Sequence, residues 1–341
     1  MQTVVSQDAD RLCVTSVDVY GVSAQVITPL DDFADFVRRN YVPFLASDHR
    51  APRMRTVFSP AAGEEAAEIA PALRSAGMGI RFDESRLYWE NEFGFRVLVT
   101  LTKTGGFEIL AYHDDLHNSQ DADARYRNFQ RSLRWVVHFP VFVQLRARLG
   151  WTLMHASAVA DNDGAVVLCG LNKVGKSTLA MTLCRRRGYR FMTDNFLFAT
   201  DDRVCGFPEV ARLDDRSLEF LDMQPAPGRC TVYGKHHLPT NPADICLQAP
   251  PKVFFLVTVG EQVEVTRLNT EAAWRRVQGL HAFLSEFPES SYLAMLPLLE
   301  HGRLDAHSTM PEAARQAPWY QLTYPLNWNL EHIMEVVDEC T

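Results

Sequence analysis

The stretch Ala165-Val-Val-Leu-Cys-Gly170-Leu-Asn-Lys-Val-Gly-Lys-Ser177 decides the fold of this chain. From Gly170 onward it matches the phosphate-binding loop pattern G-x-x-x-x-G-K-[ST], the P-loop or Walker A motif, at every fixed position. Ala165–Cys169 is a short, continuous apolar run of the kind that forms a buried strand. The segment after Ser177 has apolar residues at helical spacing and ends in three arginines before Gly188. This order predicts a binding site for a nucleoside triphosphate at the start of the helix.

The residue types of this loop suit a bound polyphosphate. Glycines let the backbone approach the phosphates closely, and successive N–H groups at a helix N-terminus favour negative charge. Lys176 is expected to reach the outer phosphates, and the Ser177 hydroxyl is expected to ligate Mg²⁺. A chance match in a glycine-containing turn is the alternative, which the flanking strand and helix disfavour. The residues predicted to bind the cofactor are Gly170, Asn172, Lys173, Val174, Gly175, Lys176, Ser177 and Thr178.

Composition and charge exclude several classes of protein. At 341 residues the chain is long enough for two ordinary domains, and its hydrophobic content of 47% is that of a globular protein. The formal net charge of -8 argues against nucleic acid and anionic membranes as partners. No apolar run reaches the roughly 18–20 residues of a membrane span. Seven cysteines without C-x-x-C pairs, and a start that lacks the features of a secretion signal, favour a cytoplasmic location.

The patterns divide the chain into three parts. Residues 1–120 are expected to form an α+β unit for substrate or partner recognition, 121–150 a helical connector in which Pro140 restarts or kinks the helix, and 151–341 the domain with the loop. The predicted fold class is therefore α/β, a P-loop core with a mixed sheet flanked by helices, preceded by an α+β N-terminal unit. The main predicted elements are helices over Gly63–Ala76, Glu271–Glu286 and from about Asn329, strands over Thr152–Val159, Tyr189–Phe198 and Lys252–Val259, and a hairpin turn at Asp161-Asn-Asp-Gly164.

The acidic residue that works with the loop is more informative than the loop alone, which does not separate an ATPase, a GTPase switch and a kinase. The strand over Lys252–Val259 ends in Gly260-Glu261 without an aspartate. The candidate acid is instead Asp194, on the strand after the loop helix, in Phe191-Met-Thr-Asp-Asn195. No N-K-x-D run follows a strand, so nothing argues for guanine selection. ATP is the expected nucleotide, with GTP left open.

These segments resemble the catalytic core of HPr kinase/phosphorylase and its kinase-like relatives. That family has an H-x-S strand, then a phosphate-binding loop, and then an acidic pair after the loop helix. In this sequence His155-Ala-Ser157, the loop from Gly170 and Thr193-Asp194-Asn195 follow in the same order. The resemblance covers about residues 150–260, under a third of the chain, and it implies a P-loop kinase-like core.

The resemblance also implies roles for individual residues. It implies that ATP and Mg²⁺ are the cofactors, that Lys176 holds the phosphates, and that Ser177 and Asp194 hold the metal ion. Asp194 would take the proton from an acceptor hydroxyl, on serine in a peptide or protein or on a small metabolite, with His155 beside it to tune its charge. The alternatives are a strand cap or a metal ligand only for Asp194, and a core histidine with satisfied hydrogen bonds for His155.

Asn195 is the main departure from the family pattern. It stands where the second acid of the pair would be, which removes one charge beside the metal ion. This departure favours a second hypothesis, in which the chain is a non-catalytic nucleotide-binding module for regulation or recognition. A third hypothesis is a P-loop ATPase subunit. The N-terminal unit shows no kinship with the family, so the oligomeric state stays open, a homo-oligomer included.

Two later segments add cations that could complete a site. Arg212 follows Phe207-Pro-Glu-Val-Ala211 and could face a phosphate. Lys235 lies in Tyr233-Gly-Lys-His-His-Leu-Pro239 and is a candidate catalytic residue that neutralises the transferring charge. A solvated loop is the alternative for both segments.

Overall fold

The computed structural model describes residues 12–47, 51–77, 79–90, 94–116, 121–207, 211–224, 231–232, 234–238, 241–283, 310–325 and 330–341. The chain divides into two compact units, with the boundary between Leu149 and Gly150. Each unit is built on a large mixed sheet with helices packed against it, so the predicted mixed α/β class is confirmed. None of the helices in the described ranges combines the length and the apolar character that a membrane span requires.

The first unit contains an eight-stranded sheet in the order β1-β2-β3-β8-β7-β6-β5-β4, in which β3 runs parallel to β2 and β8. Its strands are β1 (Cys13–Val19), β2 (Val22–Thr28), β3 (Met54–Phe58), β4 (Arg74–Gly77), β5 (Ile80–Phe82), β6 (Arg86–Glu90), β7 (Phe95–Leu101) and β8 (Phe107–His113). Its helices are α1 (Asp31–Asn40), α2 (Pro60–Ile69), α3 (Ala122–Leu133) and α4 (Phe139–Leu149).

The helix predicted over Gly63–Ala76 starts earlier and ends sooner than expected. Helix α2 begins after Ser59, whose side chain accepts a backbone hydrogen bond of 3.2 Å, and a proline follows at the first helical position. Both features are typical of helix starts. A short 3-10 turn over Ala70–Ala72 ends the helix, and the chain from Arg74 onward forms strand β4 instead.

Pro140 does not interrupt the helical segment that was predicted over 121–150. A π-helical turn over Arg134–His138 joins α3 to α4, and the run continues to Leu149. Because proline has no N–H, the Val136 carbonyl four residues earlier loses its helical partner. Thr56 of β3 replaces that partner, since its Oγ1 donates to the Val136 carbonyl oxygen at 2.9 Å. The wider turn and this side-chain donor together accommodate the proline.

The second unit contains an eight-stranded sheet and a three-stranded sheet. The strands are β9 (Thr152–Ala160), β10 (Ala165–Cys169), β11 (Arg190–Ala199), β12 (Val204–Gly206), β13 (Arg212–Asp214), β14 (Thr231–Val232), β15 (Lys235–His237), β16 (Gln248–Ala249), β17 (Pro251–Val259), β18 (Glu264–Arg267) and β19 (Trp319–Tyr324). The helices are α5 (Lys176–Arg187), α6 (Asp215–Phe220), α7 (Thr270–Phe283), α8 (Glu312–Gln316) and α9 (Leu330–Cys340). Positions 284–286 and Asn329, to which two predicted helices extended, lie outside the described residues.

The large sheet of the second unit has the order β16-β12-β11-β9-β10-β17-β19-β18, with β10, β17 and β19 parallel to one another. Alternate residues of β17 pack on opposite faces. Phe254 and Leu256 join an apolar cluster that includes residues of α7 and α8, whereas Phe255 and Val257 join one that includes residues of α5 and α9. Burial on both faces explains why β17 is a continuous apolar run in the sequence.

The predicted hairpin between β9 and β10 is held by Asp161. Its Oδ1 accepts backbone hydrogen bonds from Asp163 and Gly164, at 2.9 and 3.0 Å, and its Oδ2 accepts one from Lys252 Nζ at 2.9 Å. Burial raises the pKa of this carboxyl, but the hydrogen bonds from Lys252 and the turn outweigh burial, so its pKa lies below the usual value. The turn is thereby tied to the start of β17.

The lowered pKa of Asp161 predicts a stability difference that depends on pH. A carboxyl whose pKa is depressed by folding stabilises the protein above its unfolded pKa of about 4, and this contribution is lost as the pH falls through the folded value. Asp161→Asn should therefore lower the melting temperature at pH 7 and lose that effect progressively below pH ~4. Asp163→Asn is the control, because Asp163 lies 3.7 Å from Lys252 and its side chain is 81% exposed. Equal penalties for Asp161→Asn at both ends of the pH range would contradict the assignment.

A second prediction concerns the Val136 carbonyl. Thr56→Val keeps the shape of the side chain but leaves this buried carbonyl without its donor, which should cost about 1–3 kcal/mol. Thr56→Ser keeps the hydroxyl and should cost less. Urea denaturation measures the loss, and hydrogen exchange of the 122–149 helical segment locates it. Similar losses for both variants, or unchanged exchange in the helix, would show that the hydrogen bond is unimportant.

Candidate functional site

The loop of residues 170–177 joins the C-terminal end of β10 to the N-terminus of α5. Strand β10 lies inside the sheet, antiparallel to β9 and parallel to β17. The backbone adopts positive φ at Gly170 (145°), Lys173 (66°) and Gly175 (93°), and Gly175 is the N-cap of α5. Glycine adopts such angles with the least strain, which explains its occurrence at the two fixed positions of the pattern.

The two glycines are also needed for close packing. A Cβ atom at Gly170 would lie 2.5 Å from the carbonyl oxygen of Val257 in β17, and one at Gly175 would lie 2.7 Å from the Tyr324 hydroxyl in β19. The same hydroxyl donates to the Val174 carbonyl oxygen at 2.8 Å. The loop is therefore seated against the ends of the two neighbouring parallel strands.

Lys176 lies at the first position of α5 and is 7% exposed. Its Nζ donates to the carbonyl oxygens of Gly170 and Leu171, at 2.9 and 2.8 Å. The ammonium group therefore lies over the backbone of its own loop, and its hydrogen bonds there are to neutral acceptors.

Asp194 contacts the loop directly. Its Oδ1 accepts hydrogen bonds from Ser177 Oγ at 2.8 Å and from Ser157 Oγ at 2.6 Å. Ser157 is directly opposite Asp194 in the antiparallel pairing of β9 with β11, so both side chains leave the same face of the sheet. The carboxyl, in a residue that is 3% exposed, is thus held between a strand and the start of α5.

His155 lies two residues before Ser157 on β9 and is 5% exposed. Its Nε2 lies 3.1 Å from Oδ1 of Asn172, a hydrogen bond that ties β9 to the loop. The role of His155 in tuning the charge of Asp194 stays a prediction.

The backbone around Asp194 departs from a regular strand. The pairing of β11 with β9 shifts register between Phe191 and Thr193, and Asn195 has φ of 97°. Thr193 Oγ1 lies 2.7 Å from the Phe196 carbonyl oxygen and 2.5 Å from that of Phe207, which holds the irregular turn in place. Such backbone strain is concentrated at functional sites in proteins.

The candidate cation Lys235 lies on a strand of the small sheet, where a loop was the predicted alternative. It pairs with Asp214. Burial raises the pKa of the Asp214 carboxyl, but hydrogen bonds from Ser217 and, after them, the charge of Lys235 hold this pKa below its usual value. Asp214 caps α6 by accepting from the Ser217 N–H at 2.8 Å, and Ser217 Oγ lies 3.0 Å from Thr178 Oγ1. The small sheet is thereby linked to α5.

Three other residues that the sequence singled out lie in or beside the same small sheet. Arg212 is on β13, opposite His237 of β15. Arg212 is buried, so the solvated-loop alternative is wrong for it. His236 Nε2 forms a 2.6 Å hydrogen bond with Asp215 Oδ1. Tyr233 and Pro239 lie outside the described residues.

The oxygen atoms of Asp194 and Ser177 are ligands of the type that Mg²⁺ prefers. In the ranges that the structure describes, no group of three or more His, Cys, Asp or Glu residues could hold a metal ion. Magnesium suits such a sparse donor set, because it binds through one or two protein groups together with phosphates and water. Cys169, at the end of β10, adds no reactive thiolate, since burial raises its pKa to about 12.

Sequence patterns missed Ser157 and Tyr324 as parts of this site. Ser157 is part of the H-x-S segment, but the sequence assigned it no role. Its contact with Asp194 depends on a register shift that sequence patterns do not reveal. Tyr324 lies far along the chain from the loop that it contacts.

Comparisons with known proteins give little further information. No protein-family model and no curated protein matches the chain. Among solved structures it is similar to the Hpr(Ser) kinase/phosphatase from Coxiella burnetii, with 10% sequence identity over 55% of this chain and 95% of that chain and a TM-score of 0.28. Values this low establish neither a shared fold nor a shared activity.

Because Gly170 is closely packed, Gly170→Ala should lower the free energy of unfolding by more than backbone strain alone would. Gly188 is the matched control, because its φ is 73° but a Cβ there would meet nothing within 4 Å. Gly188→Ala should cost about 1–2 kcal/mol for the left-handed conformation. Gly170→Ala should cost more, because its φ of 145° is less accessible to alanine than the 73° of Gly188 and because the Val257 carbonyl must also move. Denaturant titrations of both variants test this, and an equal or smaller loss at Gly170 would contradict the packing argument.

Proposed function

We propose that this chain is an ATP- and Mg²⁺-dependent kinase that transfers the γ-phosphoryl group to a hydroxyl, with serine in a peptide or protein as the first candidate and a small metabolite as the second. The observation that carries the proposal is the hydrogen bond between Asp194 and Ser177. It joins the one acid that the sequence selects to the serine of the loop. Phosphoryl transfer needs such a combination of phosphate binding, charge neutralisation and an oriented nucleophile.

Phosphate binding is assigned to the loop amides and Lys176. The loop amides stand at the N-terminus of α5, where negative charge is favoured. The two carbonyl oxygens that Lys176 now contacts are neutral acceptors. Phosphate oxygens form stronger, charge-assisted hydrogen bonds, so a bound nucleotide would draw the ammonium group away from them.

Metal binding is assigned to Ser177 and Asp194. When bound there, Mg²⁺ would neutralise charge on the phosphates. The chain's own contribution is to hold the carboxylate in one orientation beside the loop, through hydroxyl groups that are already in contact with it. Asp194 then accepts the proton of the acceptor hydroxyl, a contribution typically worth about 10²–10⁴-fold in rate.

His155 and Lys235 have supporting roles in this proposal. His155 keeps Asn172, and with it the tip of the loop, next to β9. Lys235 adds positive charge on the small sheet, which is linked to α5 through Asp214, Ser217 and Thr178. We assign Lys235 to neutralising charge on the transferred group and His155 to positioning the loop and tuning Asp194.

Substitution of Asp194 separates binding from transfer. Asp194→Asn keeps the size of the side chain and should retain binding of ATP in the absence of Mg²⁺ while lowering transfer by about 10²–10⁴-fold. Lys176→Ala should weaken nucleotide binding itself. Intact-mass spectrometry of hydroxyl-bearing peptides, proteins and metabolites incubated with Mg²⁺-ATP measures transfer, with the exposed Asp163→Asn as the control.

Two outcomes would contradict the kinase proposal. Bound nucleotide without phosphate on any acceptor would favour the non-catalytic nucleotide-binding module, for which Asn195 is the motivating departure. Release of free phosphate without an acceptor would favour an ATPase.

A further inference from the structure

We propose that Ser157 is a positioning residue that holds Oδ1 of Asp194, so that the other carboxylate oxygen, Oδ2, is the one that acts on substrate. This inference rests on the proposed function and deepens it, because it assigns separate tasks to the two oxygens of one carboxylate. Ser157 is the third residue of the H-x-S segment, and no role followed for it from the sequence.

The hydrogen bonds to the Asp194 carboxylate are unevenly distributed between its two oxygens. Oδ1 accepts from both Ser157 and Ser177, at 2.6 and 2.8 Å. A carboxylate oxygen has two lone-pair positions, so these two donors fill Oδ1. Within the described part of the chain, Oδ2 of Asp194 accepts no hydrogen bond, and the residue retains 3% exposure. Oδ2 is therefore the oxygen that has no donor among these residues, and this stays so when Ser177 turns to the metal ion, because Ser157 still holds Oδ1.

The backbone on both sides of Asp194 is irregular. A register shift precedes it and the positive φ of Asn195 follows it. In a regular strand the pleat sets the direction of a side chain, but an irregular backbone leaves that direction to side-chain contacts. The Ser157 hydroxyl supplies such a contact from β9, whose own backbone is paired on both edges, with β10 and with β11.

Of the two donors to Oδ1, Ser157 and Ser177, only Ser157 would remain bound to it when nucleotide binds. The proposed function assigns the Ser177 hydroxyl to the metal ion, so its hydrogen bond to Asp194 would be given up when nucleotide binds. Ser157 is fully buried at the centre of the sheet and has no competing ligand assigned to it. It would keep Oδ1 in place in both states.

The test measures how strongly Mg²⁺ tightens ATP binding, as well as the rate of transfer. Ser157→Ala removes the hydroxyl with little change in volume, and Ser157→Thr retains it. Ser132→Ala is the matched control, because Ser132 is a fully buried serine of α3. Calorimetry gives the dissociation constant of ATP with Mg²⁺ and with EDTA, and steady-state kinetics give kcat and KM for any acceptor found.

The expected result is specific to Ser157→Ala. Its affinity for ATP in EDTA should match that of the wild type, and its melting temperature should fall, because the buried carboxylate loses one donor. The tightening of ATP binding by Mg²⁺ and kcat should each fall by about 10- to 100-fold, as for loss of a hydrogen bond to a charged group. KM for the acceptor should change little, because Ser157 does not contact it. Ser157→Thr should restore both quantities, and Ser132→Ala should behave as wild type.

The proposal is overturned if Mg²⁺ tightens ATP binding equally in Ser157→Ala and wild type, or not at all in wild type. It is also overturned if Ser157→Ala weakens ATP binding in EDTA by as much as it lowers kcat, because a structural role alone then explains the loss. Absence of transfer in a wild-type protein that binds Mg²⁺-ATP would overturn the proposed function instead. The Mg²⁺ measurement would still decide the role of Ser157.

Discussion

The antiparallel pairing of β9 with its two neighbours is the constraint on which the candidate site depends. On one edge it aligns β10, whose end carries the loop, and on the other it aligns β11, which carries Asp194. A shift of one residue in either register would turn a side chain to the opposite face of the sheet. The Asp161 turn and the Thr193 hydrogen bonds are the local features that hold these two registers.

Burial is the second constraint, because the polar side chains of the site are almost removed from water. A buried charge or hydroxyl is costly unless it has hydrogen-bond partners. In the second unit these partners are other members of the site or the loop backbone: Lys176 uses loop carbonyls, and Asp194 uses two serines. The polar side chains of the site are therefore paired with one another and with the loop, and in the proposed function Lys176 and Ser177 would exchange these partners for phosphate and Mg²⁺.

Local patterns in the sequence were enough to predict the strand, loop and helix around Gly170, the Asp161 hairpin and the buried strand β17. Each depends on neighbours in the chain, such as apolar runs, glycine positions and turn residues. The contacts of Asp194 and Tyr324 could not be predicted in this way, because they depend on the pairing of distant strands. Asp194 was selected by its place after the loop helix, but its contact with Ser157 required a register shift for which no sequence signal exists. The small sheet was missed because its strands have only two or three residues.

Asn195 has a physical consequence for how the site can work. Two adjacent carboxylates repel each other when both are ionised. With an asparagine at 195, the carboxylate of Asp194 is spared that repulsion, and neutral hydroxyl groups hold it instead. Hydroxyls orient an anion without adding charge, so the position of Asp194 does not depend on a metal ion already being present. Asparagine at 195 is thus compatible with the proposed role of Asp194, whose carboxylate two serine hydroxyls already hold.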